Sequence, residues 1–121
     1  MNSFPSFPEG QVEALAKLLG ECGSGTGISR VLRDRGLGDG SGESTKWRRL
    51  YCVFLESQRQ YKCANRIIDF IQSFLIPARF VGRSQEFESH RQQLNTILAF
   101  SGLEYGQDGK LRKCDAAQTL D

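Results

Sequence analysis

Between Ala64 and Ile76 the chain carries Ile67, Ile68, Phe70, Ile71, Phe74 and Leu75, which on a helix cover most of its circumference. A helix that is apolar nearly all round is stable only inside a shell of other elements, so this segment is expected at the centre of a helical core. Pro77 ends or kinks it, because proline removes an amide donor and clashes with the preceding turn.

The rest of the chain supplies the shell. Ser6-Phe7-Pro8-Glu9 has the form of a capping box, and Val12, Leu15, Leu18 and Leu19 follow at helical spacing. Glycines 20, 23, 25 and 27 break this first helix, and Ile28, Val31 and Leu32 recur on one face of a short second one. Residues 36–44 read as loop. Thr45 is a cap for a third helix, on which Trp47, Leu50, Tyr51, Phe54 and Leu55 form an inward stripe. Ser84 caps a fifth helix with Phe87, His90, Leu94, Ile97 and Leu98 facing inward, and Gly102 closes it. Residues 103–113 alternate polar and apolar around Asp108-Gly109, a pair that favours a tight hairpin turn.

The expected fold is therefore mainly α, a compact bundle of about five helices with a small C-terminal β-hairpin. Residues 1–11 read as an N-terminal arm and cap, 12–114 as a single helical domain, and 115–121 as the start of a linker to an absent C-terminal domain. A chain of 121 residues can bury one core without disulfides or metals. The longest apolar stretch is interrupted by Asp69, Gln72, Ser73, Pro77 and Arg79, and residues 1–10 lack the charged and apolar regions of a signal peptide. A cytoplasmic protein without a membrane partner is expected.

No constellation of catalytic residues stands out. The four cysteines are scattered singly, with one histidine to complete any metal site, so neither a metal nor a cofactor is expected. Cys52, among Tyr51, Val53 and Phe54, reads as a buried structural thiol. His90 lies on an apolar stripe and reads as a satisfied histidine at the core edge. The glycine-rich segment 20–27 lacks the lysine of a phosphate loop and follows a helix rather than a strand, which makes it an interhelical connection. The lead that remains is a basic group formed by Arg30, Arg33, Lys46, Arg48 and Arg49. These residues are the candidate surface for a partner or for nucleic acid, against the plainer reading of a solvated basic face. A net charge of +2 does not decide between them.

The segments 45–51 (TKWRRLY), 98–104 (LAFSGLE) and 108–112 (DGKLR), with Asn65-Arg66, Phe70-Ile71-Gln72 and Pro77-Ala-Arg79, resemble one bacterial and phage family. The likeness is to the N-terminal domain of Ymh-type proteins, related to AbiJ-type abortive-infection proteins, and runs from about Val12 to Leu120. In such proteins a HEPN-like helical effector domain follows. The resemblance implies a non-catalytic sensor or protein-interaction role in phage defence, with that effector domain or a phage or host factor as partner. It carries no catalytic residue onto this chain. Arg83 and His90 stand at the outer limit of the Arg-to-His spacing of HEPN ribonucleases, but Arg83 precedes the expected helix start and a chance match is the preferred reading.

Overall fold

The computed structural model describes residues 3–38 and 42–114. It is mainly helical, with α1 (Glu9–Glu21), α2 (Gly25–Asp34), α3 (Lys46–Tyr61), α4 (Asn65–Phe74) and α5 (Ser84–Leu98). An antiparallel hairpin of β1 (Leu103–Tyr105) and β2 (Leu111–Lys113) follows, and short 3-10 turns lie at Pro77–Phe80 and Ala99–Ser101. Five helices and a hairpin are the elements the periodicity predicts. By its contacts the chain clusters into two compact units, Met1–Phe74 and Leu75–Asp121. The expected linker at 115–121 lies outside the described residues.

In the first unit α4 is the most enclosed helix, with Ile67, Ile68, Phe70, Ile71 and Phe74 buried. Phe70 stacks on Phe74 and meets Phe54 of α3 edge-on. The glycines after α1 do less breaking than expected. Helix α1 continues through Gly20, and Gly25 and Gly27 lie in the first turn of α2, where Ser24 caps the helix by accepting from the Gly27 amide at 3.0 Å. At the other end Gly36 adopts φ 70°, and the Leu37 amide reaches back to the Leu32 carbonyl at 2.8 Å, a left-handed helix stop with Leu37 buried beneath it.

The N-terminal arm is part of this core. Phe7 is buried, and its amide and carbonyl are both met by the Gln58 side chain, at 2.8 and 3.1 Å. Phe4 donates to Asn65 Oδ1 at 2.8 Å and accepts from the Ala64 amide at 2.8 Å. These bonds hold the chain before Pro8, so the Ser6 capping box does not form. Pro8 occupies the cap position without a side-chain bond, and Glu9 instead accepts from the Tyr51 hydroxyl at 2.9 Å. That bond pushes the Tyr51 phenol up from its ordinary range, since it favours the protonated form beside a carboxylate.

On α3 the buried residues are Leu50, Val53, Phe54, Ser57 and Gln58. The expected stripe is thus rotated: Trp47, Tyr51 and Leu55 lie at its edge, half-buried, and Cys52 is exposed rather than buried. The cause is that Ser57 and Gln58 go inside because the backbone satisfies them, Ser57 Oγ donating to the Phe54 carbonyl at 2.8 Å.

In the second unit Phe87, Leu94 and Leu98 of α5 pack inward with Phe80, Leu103, Tyr105 and Leu111. Ser84 is the first helical residue and Arg83 holds the cap position, with no side-chain cap bond. The hairpin joins through a five-residue loop rather than a two-residue turn. The Gly106 amide bonds to the Lys110 carbonyl at 2.9 Å, and Gly109 takes φ 81°. Tyr105 anchors it: its hydroxyl donates to the Leu75 carbonyl at 2.7 Å, while Asn95 pairs with both its amide and its carbonyl, at 2.7 and 3.1 Å. Burial pushes the Tyr105 phenol well above its usual range.

Candidate functional site

The structure divides the five residues nominated from sequence by the contacts they make. Lys46, the first residue of α3, donates to the Gly23 carbonyl at 3.0 Å, and Arg49 donates to Ser29 Oγ on α2 at 2.7 Å. Both therefore tether α3 to the α1–α2 connection and to α2. Ser29 and Arg33 are four residues apart and lie one turn from each other on the same face, with Arg30 beside them. Arg49 is in this way brought onto the flank of α2 that carries exposed Arg30 and Arg33. Arg48 leaves in another direction, its guanidinium carbon 5.7 Å from the Trp47 ring centroid.

Trp47 is the residue that the sequence reading misassigned as core. The reason is local and steric. A Cβ on Gly20 would stand 3.2 Å from the Trp47 backbone nitrogen and Cα, so α1 and α3 meet there almost backbone to backbone. At so close an approach no space remains between the helices for an indole, which lies at their edge instead. Lys17 Nζ sits 4.9 Å from its centroid, drawn by the negative face of the ring. Beside them is an open depression of about 350 Å³, lined by Lys17, Gly20, Glu21, Thr45, Lys46 and Trp47. The Thr45 hydroxyl makes no cap bond to α3. The Lys17–Trp47 pairing was hard to foresee, because the two residues come from helices whose relative register the sequence leaves open.

The second unit holds two further features. His90 is not the satisfied histidine expected: its Nε2 is buried without a hydrogen-bond partner, 3.7 Å from Glu86 Oε2. Glu86 meanwhile accepts from Arg83 at 3.3 Å, and the Arg83 guanidinium also bonds the Arg79 carbonyl and lies over the Phe80 ring. Arg83 and His90 are thus both neighbours of Glu86, and the edge of Phe80 meets the imidazole at 5.7 Å. At the other end of α5, Phe100 is 72% exposed although Leu98 and Leu103 on either side of it are buried.

Among the described residues no group of three or more His, Cys, Asp or Glu side chains could hold a metal ion, and no helix is long and apolar enough to cross a membrane. No protein-family model, curated protein or solved structure matches the chain.

Proposed function

We propose that this chain is a non-catalytic interaction domain that regulates or assembles a HEPN-like effector in a bacterial, cytoplasmic, abortive-infection type defence protein. The observation that supports the reading is Phe100. Its ring stands in solvent at the turn between α5 and the hairpin, inside the LAFSGLE block on which the family resemblance rests. Folding of this chain gains little from that ring, whereas covering it with a partner would contribute roughly 1.5–3 kcal/mol. An exposed aromatic is the type of anchor around which protein interfaces are built.

The test is co-elution in size-exclusion chromatography with a separately produced HEPN-like domain from a protein of the resembling family. The wild-type chain co-elutes, and Phe100→Asp does not although it melts at the same temperature. Absence of co-elution for the wild type, or co-elution undiminished by Phe100→Asp, would overturn the proposal.

A second reading, a nucleic-acid-binding module using the basic face, is favoured by the placement of Arg49 beside Arg33 and Arg30. It requires anisotropy with labelled RNA or DNA that falls steeply with salt and collapses in the Arg30→Glu, Arg33→Glu variant.

A further inference from the structure

We propose that the depression beside Trp47 binds a nucleoside phosphate, taken either as a free nucleotide or as the terminal nucleotide of a strand. The inference rests on neither Phe100 nor the flank of α2. It starts from the steric fact that Gly20 lets α1 touch the backbone of α3, which displaces the Trp47 indole outward and leaves a hollow of about 350 Å³ next to it. That volume lies at the small end of the ~300–1,000 Å³ typical of small-ligand sites.

Three chemistries meet there, and they match the three parts of a nucleotide. The first is cationic: Lys46 gives one of its three ammonium donors to the Gly23 carbonyl and keeps the others for a phosphate oxygen, with the Thr45 hydroxyl next to it on the lining. The second is a half-exposed indole, a surface on which any nucleobase can stack. Lys17 now lies over that ring and pairs with Glu13 at 2.9 Å; the pair is solvent-exposed and therefore weak, so a stacking base can displace the ammonium, which stays within reach of the ligand on its flexible stem. The third is Glu21, whose carboxylate repels a bare anion but accepts hydrogen bonds from ribose hydroxyls. A simple oxyanion would satisfy the lysines and clash with Glu21, whereas a nucleoside phosphate engages all three.

Trp47 is the chain's one tryptophan, so its fluorescence reports directly on the site. The experiment titrates the protein with 5′-AMP, 5′-GMP, inorganic phosphate and a short single-stranded oligoribonucleotide with a 5′-phosphate. Saturable quenching by a mononucleotide or by the oligonucleotide, at least tenfold weaker in Lys46→Ala and weaker in Glu21→Ala, supports the site and identifies the source of the ligand. Because Lys46 also tethers the α1–α2 connection, each variant is checked for an unchanged melting temperature, and Lys17→Met provides a variant free of that tether. No saturable quenching by any nucleotide at millimolar concentration overturns the proposal. So does equal quenching by inorganic phosphate, or quenching that none of the three variants weakens.

Discussion

The side-chain amide of Gln58 pairs with both backbone polar groups of Phe7, accepting from its amide at 2.8 Å and donating to its carbonyl at 3.1 Å, as a neighbouring strand would. Fifty-one residues separate the two, and the bonds are buried. Gln58→Leu should therefore leave two inaccessible backbone groups unpaired, at about 1–3 kcal/mol each. We expect a loss of ~2–4 kcal/mol in urea denaturation, and earlier amide exchange at Phe7. A loss below about 0.5 kcal/mol would mean that the arm is not held by this pair.

In the second unit Asn95 makes the equivalent pair with Tyr105, and the Tyr105 hydroxyl is bound to the Leu75 carbonyl. Tyr105→Phe keeps the ring and removes only that donor, which should cost about 1–2 kcal/mol. Gly109→Ala should be worse, ~3 kcal/mol or more, because its backbone is at φ 81° and a Cβ would stand 2.4 Å from Pro77 Cδ. Thermal melts of the two variants check the order.

The contact of Gly20 with Trp47 sets two effects against each other. Alanine in place of a helical glycine contributes at most ~1 kcal/mol of helix propensity, and less in the last turn, where Gly20 lies. Here the new methyl would press on backbone atoms, which retreat only by moving α3 away from α1, an overpacking cost of about 1–3 kcal/mol. The steric effect wins, so Gly20→Ala lowers the melting temperature, whereas Gly10→Ala, with nothing near its Cβ, raises it or leaves it unchanged.

Asp108 is paired with the Arg112 guanidinium, which holds its carboxyl down at about 2. The ordinary value is ~3.9, so the folded state binds this proton less readily than the unfolded one. Stability from the pair is present above the unfolded value and is lost as pH falls from about 4 towards 2. The side chains are exposed, so the effect is small and screened by salt. The advantage of the wild type over Asp108→Asn should shrink across that window in urea titrations, and an unchanged difference at pH 2 would show that the charge is not its source.

Two phenylalanines near opposite ends of α5 should behave oppositely. Phe87 is buried against Phe80 and Tyr105, and its replacement by alanine should cost about 3–5 kcal/mol. Phe100 is exposed, and Phe100→Ala should change stability by less than ~0.5 kcal/mol. A large loss at Phe100 would assign it to the fold and remove the argument for a partner.

Local pattern alone determined most of the elements. The 3.6-residue repeat of Ile67, Ile68, Phe70, Ile71 and Phe74 made α4 the enclosed helix, and the alternation around Asp108-Gly109 announced the hairpin, because both signals depend only on which side chains share a face. What required tertiary structure was every fact that joins distant segments. Sequence pattern counts Ser57 and Gln58 as polar and places Trp47 on the apolar stripe. The fold reverses both assignments, because Phe7 satisfies Gln58 from 51 residues away and Gly20 closes the space an indole would need. The basic residues were visible as a composition, but whether each is a tether or an exposed charge depended on which carbonyl or hydroxyl another helix brought within reach, a distance that no spacing along the chain encodes.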